Sequence, residues 1–179
     1  DVYGVIQNKT ADIDKTLNAI NGTLLPAFDP NGMFFGVMTD FMGHGTASAS
    51  SITSKGNQTY DIYNNTSKFT ITGVAPGAKI VPVKSLWAGD TVYAWLWLSG
   101  FDSNEHSWNF TGKPRVDIIS NSWGISNFPS FNSAPGMDIL SLILSILATP
   151  HSLDDNYPGI TIVSSAGNSG HGYGTIGMP

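Results

Sequence analysis

The sequence has no cysteine among its 179 residues. That excludes disulfides, zinc–thiolate sites and a cysteine nucleophile, and it leaves oxygen and imidazole as the ligands open to any metal. Charge is scarce too. Charged residues make up 12% of the chain, eight basic against thirteen acidic, for a net charge of −5. Eight cations do not build the basic surface that nucleic-acid binding or a polybasic membrane contact requires, so neither partner is expected. Long apolar runs are also missing. The longest, residues 137–148, is too short to span a bilayer and is broken by Ser141 and Ser145, so no transmembrane segment is expected in this chain. No basic stretch followed by an apolar core opens the sequence, so no signal peptide is visible; a mature exported chain would have lost one already, so this absence says little.

What is present suits a folded domain. The length fits about one domain, and 41% hydrophobic content supplies a real core, which excludes disorder. Six Asn-x-Ser/Thr triplets occur, at Asn8, Asn21, Asn57, Asn64, Asn65 and Asn109. Chance would give roughly two or three in a chain this rich in Asn, Ser and Thr, so the excess leans towards an exported glycoprotein, extracellular or on the cell surface. A polar, Asn- and Thr-rich composition is the plainer explanation of the same count.

Residues 1–39 are turn-rich, punctuated by Asn21-Gly22, Asp29-Pro30 and Asn31-Gly32, and read as loops or an insertion. From Gly43 the small residues Gly43-His44-Gly45-Thr46-Ala47-Ser48-Ala49-Ser50 predict a helix packed closely on a neighbour. Residues 53–68 read as a polar loop. Strands are expected at 78–86, 116–122 and 159–165, where β-branched residues dominate, with Pro82 awkward in the first. Helices are expected at 91–98 and 137–147, the second apolar nearly all round and therefore buried. Strand, helix, strand, helix, strand implies an α/β fold: a three-layer, mainly parallel twisted sheet with helices on both faces. Ligand sites in such sheets form at the carboxyl ends of strands. That directs attention to Ser122-Trp123-Gly124 and Ala166-Gly167-Asn168.

Three motifs carry chemistry. His44 lies between two glycines at a predicted helix start, where nothing covers the imidazole, the usual proton shuttle near neutral pH. Alone, it is equally a surface histidine in a glycine-rich turn. Asn168 follows a strand in a Gly-Asn-Ser-Gly turn, where its amide can donate to a developing oxyanion, or simply fill a left-handed position. Ser122-Trp123-Gly124 ends a strand with main-chain groups open to an extended peptide, or with a half-buried tryptophan and nothing more.

Taken in order, the blocks resemble the subtilisin-like serine peptidases, the subtilases. Asp40-Phe41-Met42-Gly43-His44-Gly45-Thr46-Ala47 is similar to the family's histidine motif, and Gly73-Val74-Ala75-Pro76-Gly77-Ala78 to its Gly-Val-Ala-Pro-x-Ala turn. Val116–Gly124 resembles the strand whose Ser-x-Gly end pairs with substrate, and Ile162–Gly170 the segment with the oxyanion asparagine. The resemblance covers residues 40–179 as part of a peptidase domain. It implies His44 as general base and Asn168 as stabiliser of the tetrahedral intermediate. It further implies that Ser122, Trp123 and Gly124 bind substrate with Ala166 and Gly167, and that Gly89 and Asp90 lie at the second substrate-pairing edge.

The likeness has gaps. No Asp-Ser-Gly or Asp-Thr-Gly precedes His44, Asp40 sits where the family has a common polar residue, and Gly174-Thr175-Ile176 lacks the serine of the nucleophile motif. The expectation is therefore a segment cut from a longer secreted endopeptidase, inactive by itself, whose remaining segments supply aspartate and serine to act on peptide or protein substrates. The alternative is a catalytically inactive, glycosylated cell-surface structural or binding protein on the same fold. Calcium stabilises many subtilases, but no acidic loop here has ligand spacing and Asp154-Asp155 reads as a solvated loop, so neither metal nor cofactor is expected.

Overall fold

A computed structural model describes residues 42–62, 67–83, 88–104, 107–125, 136–172 and 175–179. The turn-rich segment 1–39, Asp40, and the triplets at Asn8, Asn21, Asn64 and Asn65 lie outside the described residues. The described residues fall into two compact units, one ending at Pro82 and one beginning at Val83.

In the first unit a helix α1 (His44–Thr53) leads into an antiparallel hairpin of β1 (Lys55–Ile62) and β2 (Ser67–Thr72). The hairpin corrects the polar loop expected over residues 53–68. Thr59, Tyr60, Phe69 and Ile71 supply β-branched and aromatic residues, and cross-strand pairs such as Tyr60 with Phe69 hold the ladder, their ring centroids 5.6 Å apart. Charged and amide residues between them hid the pattern. The small residues of α1 were expected to pack on a neighbour, yet none of its residues is buried. After β2 the chain returns along the end of α1. Gly73, Val74 and Ala75 donate main-chain hydrogen bonds to Ser54, Ser51 and Ile52, at 2.8, 3.1 and 2.7 Å. A side chain at Gly73 would sit 2.5 Å from the Ile52 carbonyl, so this close approach requires glycine. Residues 78–83 form no strand among the described residues, which corrects the strand expected at 78–86; Pro82 lacks the N–H a ladder needs.

The second unit holds the core. Helix α2 (Ala88–Leu98) buries Thr91, Ala94, Trp95 and Leu98, a stripe at helical spacing. A short hairpin follows, β3 (Phe101–Ser103) with β4 (Trp108–Phe110), then strand β5 (Ile118–Asn121), helix α3 (Ile139–Ala148) and strand β6 (Thr161–Ser164). β5 and β6 pair in parallel, Ile118 against Thr161 through Asn121 against Ser164. Trp95, Leu98, Ile119, Leu140, Leu144, Leu147 and Ile160 form one apolar cluster, so α2 and α3 both pack on the face of the pair that carries Ile119. Burying a side chain such as Leu147 contributes about 2–3 kcal/mol.

One expectation needs correction here. Helix α3 is not buried all round: Leu140, Leu144 and Leu147 face the core while Ile139, Leu142 and Ile146 are exposed. Among the described residues the pair β5–β6 carries helices on one face and leaves Ile118 and Val163 exposed on the other, and the structure is mixed α/β with one parallel pair.

Local devices fix these elements. Asp138 caps α3, accepting from the Ser141 N–H at 2.9 Å and the Ser141 hydroxyl at 2.6 Å. Arg115 donates to the carbonyl of Trp97 at 2.7 Å and to Asp102 at 2.6 Å, and lies over the Trp97 ring. Beyond α3, the fully buried Tyr157 donates its hydroxyl to the Leu147 carbonyl at 2.6 Å. Burial pushes that phenol up, which keeps the proton in place to be donated.

Candidate active site

The first candidate residue sits at a helix start. Gly43 precedes α1 with φ +72°, a conformation that most side chains resist, and its carbonyl accepts the first helical bond from Ala47 at 2.9 Å. His44 is therefore the opening residue of α1, and it is exposed. Its carbonyl accepts the Ser48 hydroxyl at 2.9 Å, which occupies the backbone and not the ring. The Gly73–Ala75 turn binds the other end of the same helix through the hydrogen bonds given above. The histidine block and the Gly-Val-Ala-Pro block thus meet on one element.

The second group assembles at the strand ends of the other unit. Because β5 and β6 run in parallel with Asn121 opposite Ser164, the residues after each strand leave the sheet side by side. Ser165 N–H donates to the Asn121 carbonyl at 3.0 Å, and the Ser165 hydroxyl reaches the Trp123 carbonyl at 3.4 Å. Ser165, which precedes Ala166-Gly167-Asn168, is thereby held against the start of the Ser122-Trp123-Gly124 segment. Among the described residues, the main chain of Ser122 and Gly124 makes none of the main-chain bonds that tie their neighbours Asn121 and Ile125. Ile125 instead exchanges bonds of 2.7 and 3.1 Å with Met178, closing the strand extension just past Gly124. Ala166, Gly167 and Asn168 are exposed.

Trp123 is positioned from below. Its ring stacks on Trp95 at 6.0 Å between centroids and 17° between planes. Trp95 in turn donates its indole N–H to the Asn121 side-chain oxygen at 3.0 Å, and the Asn121 amide nitrogen reaches the Ser164 hydroxyl at 3.4 Å. Sequence reasoning did not single out Asn121. Its signal was available: two residues past Ile119 in a strand, it must face the same buried side.

His44 belongs to the unit ending at Pro82 and Asn168 to the unit beginning at Val83. Gly89 and Asp90 lie in the first turn of α2, a turn whose main-chain N–H groups have no partner within the helix. Asp154 is part of a turn, its carboxylate accepting from Asn156 N–H at 2.8 Å and its carbonyl from Tyr157 N–H at 3.0 Å. Among the described residues no group of three or more His, Asp or Glu is placed to hold a metal ion, and no helix is long and apolar enough to cross a membrane.

No curated protein and no solved structure matches the chain. The family model described as the subtilase family, a peptidase family, matches residues 36–179, most of the chain, and takes in the histidine helix, the Gly73 turn and both strand ends. The chain belongs to the subtilase family, a membership that supports a serine-peptidase-like function in general.

Proposed function

We propose that the chain is part of an exported subtilisin-like serine endopeptidase, extracellular or on the cell surface, in which His44 is the general base and Asn168 the oxyanion donor. The observation that supports the reading is the parallel pair β5–β6, from whose carboxyl ends the Ser122–Gly124 and Ser165–Asn168 segments depart, with Ser165 bonded to Asn121. An extended peptide would pair with the open main chain of Ser122 and Gly124, with Trp123, Ala166 and Gly167 beside it. His44 would take the proton of a serine as it attacks the carbonyl carbon, then return that proton to the leaving amine. The Asn168 carboxamide would hold the negative charge on the carbonyl oxygen while the tetrahedral adduct lasts. The nucleophilic serine and the aspartate that orients the histidine are assigned to the protein outside the motifs found in these 179 residues. The exposed apolar side chains Ile118 and Val163 support a third layer over the outer face of the parallel pair, since parallel strands are ordinarily covered on both sides. The excess of Asn-x-Ser/Thr triplets supports export.

The test is labelling of the full-length protein by a serine-directed fluorophosphonate. The wild type labels and His44→Ala does not, because an unactivated serine is a weak nucleophile. Undiminished labelling of the variant refutes the assignment of His44. A correctly folded wild type that takes up no probe indicates the inactive structural reading instead.

A further inference from the structure

The peptidase reading leaves the Asn-x-Ser/Thr triplets without a structural role. Two of them lie among the described residues, and they are placed differently. Asn109 sits opposite Asp102 in the β3–β4 ladder, and the Thr111 hydroxyl of its triplet donates to the Gly100 carbonyl at 2.8 Å. Asn57 falls where the β1–β2 register shifts, between Lys55 and Thr59, and is exposed. It also lines a cavity of about 480 Å³ in the first unit.

The lining is mixed, with Ile71 and Thr72 of β2 beside a set of polar groups from α1 and β1. Around Asn57 stand the hydroxyls of Ser50, Ser51 and Ser54, the amide of Gln58 and the ring of Tyr60, with Lys55 as a single cation and no carboxylate. Ser51 and Ser54 spend their protons on the carbonyls of Ala47 and Ile71, at 3.0 and 3.1 Å, so each offers lone pairs to an incoming hydroxyl. Tyr60 is 43% exposed while leaning on Phe69, which leaves ring surface open to the C–H face of a pyranose. A set of acceptor hydroxyls, amides and one open aromatic ring suits an uncharged polyhydroxylated ligand. The volume lies within the range of roughly 300–1,000 Å³ typical of small-molecule sites.

We propose that Asn57 is N-glycosylated and that the first sugars of its glycan lie in this groove. The inference rests on the export reading above, since the sugar donor is met outside the cytoplasm. In the transfer, made by a separate transferase, the Asn57 side-chain nitrogen attacks the anomeric carbon of a polyprenyl-phosphate-linked oligosaccharide. The N–C bond forms, the C–O bond to the phosphate breaks, the lipid phosphate leaves with the electron pair, and the amide proton is released to solvent. The glycan is then tethered at the wall of its own groove, where a high effective concentration makes weak contacts sufficient. The groove wall is open to such an occupant, since every residue of β2 is exposed.

The experiment uses the full-length protein recovered from the medium of its native host. Digestion at lysine releases residues 56–68 as one peptide carrying Asn57, Asn64 and Asn65, and fragmentation that preserves the glycan assigns the modified residue. Sugar is expected on Asn57 and is lost in both Asn57→Gln and Thr59→Val. Enzymatic deglycosylation of that site is expected to run several-fold slower on the native protein than on the denatured one, with Tyr60→Ala removing most of the difference. An exported protein bare at Asn57 but modified at Asn109 or Asn64 overturns the proposal and leaves export standing. Equal release rates from native and denatured protein overturn the groove. A protein retained in the cell and bare at all six triplets overturns the export reading and this proposal together.

Discussion

The indole N–H of Trp95 donates to the side-chain oxygen of Asn121 at 3.0 Å, and both residues are buried. This bond joins helix α2 to the last residue of β5, one position before the segment that the proposed function assigns to substrate. Asn121→Ala leaves the indole N–H without a partner inside the core, a loss that costs about 1–3 kcal/mol. Trp95 also carries the stacked ring of Trp123, so the variant is expected to weaken the tryptophan signal in the near-ultraviolet circular dichroism as well. Urea unfolding with that spectrum as the second readout checks both. A midpoint and a spectrum matching the wild type would show that the bond contributes nothing.

Asp138 offers a test that depends on pH. Burial alone would raise its pKa, but the hydrogen bonds from the Ser141 hydroxyl and main chain outweigh that, and the carboxyl sits below the usual range. A carboxylate with a lowered folded pKa stabilises above its unfolded value of about 3.9, and the contribution disappears as the pH falls through the folded one. Asp138→Ala is expected to cost about 1 kcal/mol at neutral pH through loss of the cap. Against Asp138→Asn, which keeps an acceptor but no charge, the wild-type advantage shrinks as the pH drops below about 4. Unfolding curves for the three proteins at neutral and acid pH give the comparison. A gap that stays constant would mean the charge is not what stabilises the cap.

How much of this could be read beforehand depended on the local pattern. The pair β5–β6 was legible because Ile118, Ile119, Ile160, Ile162 and Val163 make short β-branched runs bounded by glycine and polar residues. The hairpin over residues 55–72 was not, since its strands alternate Thr, Tyr and Phe with Asn, Gln, Asp and Lys, and every residue of β2 remains exposed. Helix α3 misled in the other direction. Composition says how apolar a helix is, while which face is covered depends on elements distant in sequence, so Ile139 and Ile146 looked like core and are exposed. At the candidate site, residue types and their order were legible. The buried support of Trp123 through Trp95 and Asn121 was not, because a contact across 26 residues leaves no local trace.

Asn168 gives the sharpest test of the chemistry. It is exposed beyond β6, and its side chain makes no hydrogen bond among the described residues, so replacing it removes little that holds the fold together. Loss of activity on substitution would then report on the reaction and not on unfolding. For a donor that acts mainly on the developing oxyanion, Asn168→Ala in the full-length protein is expected to lower kcat by about 10²–10³-fold. KM should move far less, since the interaction is made chiefly in the transition state. Steady-state hydrolysis of a peptide amide, with unfolding curves to verify equal stability, separates the cases. A variant that keeps wild-type kcat assigns the oxyanion to other donors; one that raises KM at constant kcat makes Asn168 a substrate-binding residue.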